Sequence, residues 1–170
     1  MNNIECLILT GNFLTENDFP LEVQKYNKLN EINIDKNSLK KIPKALVLAS
    51  SSTLKFFSLN ENNISDLKHL SKFTKLKTLL LEKNNISYID DHTLTNLKQL
   101  EILDIKQNLI EYLPSAISNL NNIRILNLSC NKLNKIDKEI FLLSNLEILD
   151  LSKNNLSNLP FISLSVKRQI

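Results

Sequence analysis

Glycine is almost missing from this chain of 170 residues: Gly11 is its only one. A phosphate-cradling loop and a dinucleotide fingerprint both need several glycines, so both are excluded. Histidine is nearly as scarce. His69 and His92 are the only two, and neither stands at metal-ligand spacing from a cysteine or from the other. No run of 18 apolar residues occurs, which gives no reason to expect a transmembrane helix. The first residues lack a basic region, a long apolar stretch and a small-residue cleavage site, so no secretory leader is expected. A net charge of +3 is too small to imply nucleic acid by itself. These absences predict a cytoplasmic or nuclear protein with no metal, no cofactor and no membrane contact.

What the chain has is recurrence. Leucine or an equivalent recurs with asparagine in the order L-x-x-L-x-L-x-x-N-x-L, running Ile4-Leu7-Leu9-Asn12-Leu14, Leu29-Ile32-Ile34-Asn37-Leu39 and Leu54-Phe57-Leu59-Asn62-Ile64. It continues through Leu76-Leu79-Leu81-Asn84-Ile86, Leu100-Leu103-Ile105-Asn108-Ile110, Ile123-Leu126-Leu128-Asn131-Leu133 and Leu146-Leu149-Leu151-Asn154-Leu156. Successive starts are 25, 25, 22, 24, 23 and 23 residues apart. A period of this length marks a solenoid, in which each unit touches only its neighbours.

Within a unit, Leu103 and Ile105 alternate with Ile102 and Asp104, the period-2 pattern of a half-buried strand. Stacked strands predict a parallel sheet along one edge. The following Ile110, Leu113, Ile117 and Leu120 are three to four residues apart, which suits a helical or 3₁₀ return on the other side. A narrow strand layer beside a wider helical layer predicts an arc with the sheet on its concave side. The cysteines agree with a continuous array: Cys6 and Cys130 lie five units apart. At about 4.8 Å per strand their Cα atoms are more than about 20 Å apart, beyond the roughly 7 Å that a disulfide spans.

The asparagine of each unit has a structural task. As the chain turns inward after the strand, backbone groups lose water, and an amide can satisfy donors and acceptors together. Asn12, Asn37, Asn62, Asn84, Asn108, Asn131 and Asn154 are therefore predicted to stack into a ladder serving their own coil and the next. Four N-x-S sequons, at Asn63, Asn85, Asn127 and Asn155, fall inside the repeat and are read as its by-products.

The recurrence resembles the leucine-rich-repeat superfamily over essentially the whole chain. Ile110-Glu111-Tyr112-Leu113-Pro114-Ser115-Ala116-Ile117 resembles the intracellular Ras-group unit, as do parts of Leu39 to Pro43 and Leu156 to Pro160. The shorter unit containing Asn63-Ile64-Ser65-Asp66-Leu67 is similar to that of phosphatase-regulator proteins. The resemblance implies an α/β solenoid: a right-handed horseshoe of about seven repeats in a single domain, acting as an adaptor or scaffold. It departs at the ends. Asn17 stands where later units carry Ile42, Leu67, Ile89, Leu113, Ile136 and Leu159. After Pro160 only a tail with Phe161, Ile162, Leu164 and Val166 follows. Three readings fit: a fragment of a longer protein, association through an uncapped repeat end, or a tail that caps the last coil.

Outward strand positions define the candidate site. One column reads Cys6, Glu31, Phe56, Thr78, Ile102, Ile125, Ile148, and the other Ile8, Asn33, Ser58, Leu80, Asp104, Asn127, Asp150. Ile102, Ile125 and Ile148 should form an apolar stripe bordered by Asp104, Asn127 and Asp150, with Phe56 and Leu80 as a second contact. An apolar row with a polar border marks a protein contact. The bland reading is that β-branched residues favour strands and pack laterally. On the concave face nine acids oppose seven bases, so a protein partner is expected and nucleic acid, which needs a basic track, is not. Lys40-Lys41, Lys167-Arg168 and Asp90-Asp91 are read as solvated charge. Asp104 and Asp150, two strands apart, lack an enclosed pocket expected to raise either pKa, so catalysis is not expected. The sequence therefore predicts a non-enzymatic interaction module. Alternatives are a regulatory subunit of a phosphatase or small-GTPase pathway, or the recognition portion of a larger enzyme or receptor.

Overall fold

A computed structural model describes residues 3–160. Seven short strands form one parallel sheet in chain order: β1 (Cys6–Ile8), β2 (Glu31–Asn33), β3 (Phe56–Ser58), β4 (Thr78–Leu80), β5 (Ile102–Asp104), β6 (Ile125–Asn127) and β7 (Ile148–Asp150). Each is only as long as the alternating segment of its repeat. The return path is helical, as the wider apolar spacing predicts. It comprises α1 (Lys44–Ser50), α2 (Asp91–Thr95) and 3₁₀ turns at Leu21–Lys25, Leu70–Lys72, Ser115–Asn119 and Lys138–Leu142. The result is an α/β solenoid of horseshoe type, with the sheet on one side and the helical segments on the other.

The core is a line running between these layers. In the fifth coil Leu100, Leu103, Ile105 and Ile110 are all buried, and their counterparts in the second to sixth coils are buried with them. Burying one such side chain fully contributes about 1.5–3 kcal/mol, so stacking of coils, rather than any single coil, holds the fold. Phe57 and Phe73 thicken this line with an edge-to-face contact, their ring centres 5.4 Å apart. At the two ends Leu7, Leu9, Leu149 and Leu151 are only partly buried, because each has a neighbour on one side among the described residues.

Two local features depart from the simple repeat. Asn17 is exposed, while Phe19 supplies apolar bulk to the core. A turn closed by Thr15, whose N–H and hydroxyl both donate to Asp18 Oδ2 at 2.7 Å, redirects the chain between them. The residue before each ladder asparagine has a positive φ: Gly11, Lys36, Glu61, Lys83, Gln107, Cys130 and Lys153. Non-glycine residues rarely adopt this left-handed region, yet only the first unit uses glycine. The predicted tail contacts of Phe161, Ile162, Leu164 and Val166, and the basic pair Lys167-Arg168, lie outside the described residues.

Candidate functional site

Strand pairing sets the outward side chains in two continuous columns. Ile102 pairs with Ile125 and Ile125 with Ile148; Asp104 pairs with Asn127 and Asn127 with Asp150. Toward the other end Phe56 pairs with Thr78, and Ser58 with Leu80, so Phe56 and Leu80 sit diagonally. Ile102 and Ile125 are half-buried by lateral packing, whereas Ile148 on the last strand is 53% exposed. The three isoleucines thus form one row whose outer edges remain open to solvent.

The polar border is partly self-satisfied. Asn127 Nδ2 donates to Asp104 Oδ2 at 3.2 Å, and the Ser129 hydroxyl donates to Asn127 Oδ1 at 2.7 Å. Asp104 Oδ1 accepts from the Lys106 N–H at 3.0 Å, and Asp150 Oδ1 from the Ser152 N–H at 2.9 Å. A carboxylate has about four acceptor sites, so both aspartates keep capacity for a partner. In coils two to four the lane is more closed. There Asp35 Oδ1 accepts from the Ser58 hydroxyl at 2.6 Å and the Asn60 N–H at 2.7 Å, and Asn60 Oδ1 accepts from the Glu82 N–H at 2.7 Å.

These surroundings push the two aspartates apart. Burial raises the Asp104 pKa above the ordinary aspartate value, against the opposing pull of the Lys106 N–H. Hydrogen bonds from the Ser152 hydroxyl and N–H lower that of Asp150. The expectation that an open sheet would leave such carboxylates unperturbed is therefore corrected for Asp104. Flanking strands remove enough water from it without an enclosing pocket. Ion pairs span coils along both borders: Lys77–Glu101 at 2.7 Å, Arg124–Glu147 at 2.8 Å and Lys106–Glu82 at 3.2 Å.

The asparagine ladder supports this face from behind, and its direction differs from the sequence expectation. Asn108 Nδ2 donates to Ile105 O and Lys106 O in its own coil, but its third bond, 2.8 Å, goes to Leu81 O in the preceding coil. Asn108 Oδ1 accepts from the Ile86 N–H, also of the preceding coil, at 3.0 Å. The same arrangement holds at Asn37, Asn62, Asn84, Asn131 and Asn154. The reason lies in the backbone bonding. Leu81 O and Ile86 N–H take no backbone partner, and both point toward the coil that follows. The next asparagine, reaching back, meets both: it is the partner of the Ile86 N–H and a second donor to Leu81 O, which also accepts from Asn84 Nδ2 at 3.1 Å. Among the described residues Asn12 reaches no earlier coil, and its Nδ2 donates to Leu9 O and Thr10 O of its own coil.

Sequence reasoning missed a second polar ladder on the flank. Asn122 Nδ2 donates to Lys98 O at 2.7 Å, and Asn145 Nδ2 to Asn121 O at 2.6 Å. Asparagine is so common here that these two carried no separate signal. It also missed an exposed aromatic pair, Tyr88 and Tyr112, in edge-to-face contact at 5.8 Å. Their equivalent positions in neighbouring units were the only available clue. Cys6 is exposed and Cys130 half-buried, both as free thiols; burial raises the Cys6 pKa, as does Glu31 nearby. His92 Nε2 lies 3.4 Å from the Ser71 hydroxyl, away from the strand face.

A solenoid of stacked strand-and-turn coils with an internal asparagine ladder defines a repeat protein of the leucine-rich class. The Leucine rich repeat family profile matches residues 74–129 and 121–165, more than half of the chain, and the chain belongs to that family. It is similar to a leucine-rich-repeat protein of Leptospira interrogans at 30% identity and a TM-score of 0.86, over 94% of this chain and 40% of that one. It is also similar to the ectodomain of the Arabidopsis thaliana membrane receptor kinase GASSHO1/SCHENGEN3, solved in complex with Casparian strip integrity factor 2. There the identity is 29% and the TM-score 0.74, over 88% of this chain and 18% of that one. A third similarity, to TLR13 in complex with ssRNA13, has 29% identity and a TM-score of 0.69, over 82% of this chain and 20% of that one. The chain therefore spans two fifths or less of the length of each of these relatives. Among the described residues no helix is long and apolar enough to cross a membrane.

Proposed function

We propose that this chain is a non-enzymatic protein-interaction module whose partner docks on the concave strand face. Ile102, Ile125 and Ile148 are the anchors, Asp104, Asn127 and Asp150 orient the partner, and Phe56 with Leu80 extends the contact. The observation that carries this reading is the unbroken pairing of the three isoleucines beside a carboxylate-bearing column with spare acceptor capacity. Completing the burial of such a row supplies a few kcal/mol, which offsets association costs only when several contacts act together. The receptor kinase ectodomain, solved with its factor, is an example of this fold engaging a partner.

A second reading, single-stranded RNA, follows from the relative solved with ssRNA13. The nine acids against seven bases on the strand face disfavour it, because phosphate binding needs an excess of cations. Within the protein-partner reading, the client is a phosphatase or small-GTPase pathway component, or the chain is the recognition portion of a larger enzyme or receptor. The cytoplasm, or else the nucleus, is the proposed site of action, and association through a repeat end is the proposed route to any oligomer.

The test compares wild type with an Ile102→Asp/Ile125→Asp/Ile148→Asp variant, both verified as folded, for retention of proteins from source-cell cytosol. A protein held by wild type and lost by the variant supports the strand face. Equal retention by both contradicts it. A fluorescent single-stranded RNA that binds wild type with steep salt dependence would favour the second reading.

A further inference from the structure

The helical side carries a pocket that the strand-face reading does not use. It has a volume of about 400 Å³ and lies between the 3₁₀ turns Ser115–Asn119 and Lys138–Leu142. That volume is within the range of small-ligand and side-chain pockets. Its floor is apolar: Pro114, Ile117, Ile136 and Ile140 are all buried there. One wall is Tyr112, half exposed, whose other neighbour is Tyr88.

The opening has a cause in the sequence. One junction earlier, Asp91 Oδ1 crosses between coils and accepts from the Ala116 N–H at 2.7 Å and the Ser115 hydroxyl at 3.1 Å. The residue equivalent to Asp91 in the next coil is Ser115, so no carboxylate bridges the junction where the pocket lies. Asp137, equivalent to Asp90, also behaves differently. Asp90 caps its helix by accepting from the Thr93 N–H, whereas Asp137 makes no side-chain cap bond. Asp137 and Glu139 both line the pocket, and among the described residues neither is in an ion pair. Lys135 also lines it, leaving the rim with two acids against one base.

We propose that this pocket is a second docking site, taking an arginine-bearing segment of a protein partner. The aliphatic shaft lies on Pro114, Ile136 and Ile140, which suits a side chain with an apolar stem and a charged head. The guanidinium pairs with Asp137 and Glu139 and stacks on Tyr112, a geometry arginine adopts and lysine does not share. The pocket exceeds one side chain, so apolar residues flanking the arginine fill the remainder. This inference is independent of the strand-face reading, since it uses the opposite side of the solenoid.

The experiment titrates the isotope-labelled full chain with acetyl-Ala-Leu-Arg-Pro-Ala-amide, and separately with the same peptide carrying neutral citrulline for arginine. Both titrations follow backbone amide shifts at about 0.15 M salt, where long-range attraction is screened. The expected result is shifts confined to residues 112–117 and 134–140, with the arginine peptide bound about tenfold more tightly than the citrulline one. An Asp137→Asn/Glu139→Gln variant, whose remaining spectrum reports its fold, should bind both peptides equally. A lysine replacement of the arginine should lose most of the advantage. Equal binding of the arginine and citrulline peptides by wild type would overturn the proposal. So would shifts at Asp104 and Asp150 in place of the pocket, or no shifts at all.

Discussion

Asn108 Nδ2 donates to the Leu81 carbonyl of the preceding coil at 2.8 Å, so each coil is completed by a side chain of the one that follows it. The same amide accepts from the Ile86 N–H at 3.0 Å. Removing it strands the buried Ile86 N–H, at a cost of about 1–3 kcal/mol, and leaves Leu81 O with the 3.1 Å bond from Asn84 Nδ2 alone. Asn108→Leu should therefore lower the melting temperature by about 5–10 °C. Asn12 reaches no earlier coil, so Asn12→Leu should shift it far less. Thermal unfolding of the two variants side by side checks this, and equal shifts would discredit the backward-reaching ladder.

Capping supplies a second contrast. Asp90 Oδ1 accepts from the Thr93 N–H at 2.6 Å and its hydroxyl at 2.7 Å, and the Thr93 hydroxyl chiefly holds the Asp90 pKa below its usual value. Asp90→Ala should cost about 1 kcal/mol at neutral pH. A lowered carboxylate pKa contributes stability that is present above the ordinary aspartate value and lost as pH falls through the lowered one. The gap between wild type and Asp90→Ala should therefore narrow in acid. Asp137→Ala should leave stability unchanged at neutral pH, since that side chain caps nothing. Urea unfolding across a pH series reads both.

Asp104 has the opposite sign. Burial raises its pKa, so the folded state holds the proton more tightly than the unfolded chain does. Its contribution to stability is greatest below the ordinary aspartate value and is lost as pH rises through the raised one. Asp104→Asn keeps an oxygen to accept the Lys106 N–H and removes the half-buried charge. At pH 7 it should raise the melting temperature by about 1–2 °C. In acid the variant should lose that advantage. A melting temperature lower than wild type at pH 7 would contradict the assignment of burial as the dominant effect.

The border ion pairs should matter little to stability. Arg124 and Glu147 meet in a two-point contact at 2.8 and 3.0 Å, but both side chains are more than half exposed. Such pairs are screened and require two long side chains to be ordered. Arg124→Ala should change the melting temperature by less than about 2 °C, with the residual effect vanishing in high salt. Calorimetry at low and high ionic strength tests it.

The repeat makes the strand face legible in the sequence itself. Ile102, Ile125 and Ile148 share a column because every unit presents the same strand position outward, and parallel pairing in register preserves it. The helical side was legible only in kind. The asparagine positions were readable, but the backward reach of Asn108 depends on which backbone groups the sheet leaves unpaired. Phe19 replaces the missing apolar residue at Asn17 through a Thr15–Asp18 turn that no repeat position encodes. The pocket beside Tyr112 likewise arises from a coil junction where Ser115 stands in the place of a bridging aspartate. Departures of one coil from the repeat, and side-chain bonds that pass from one coil to another, escaped the pattern.

Docking on the strand face is the central claim, and site-specific photo-cross-linking tests it most directly. A benzophenone side chain at Ile125 faces the proposed partner, whereas one at Leu48, exposed on α1, lies on the helical side away from the pocket beside Tyr112. In source-cell extract the account predicts a discrete adduct from position 125 that is absent from position 48 and suppressed by excess unmodified protein. An adduct of equal strength from position 48, or one from there alone, would contradict it.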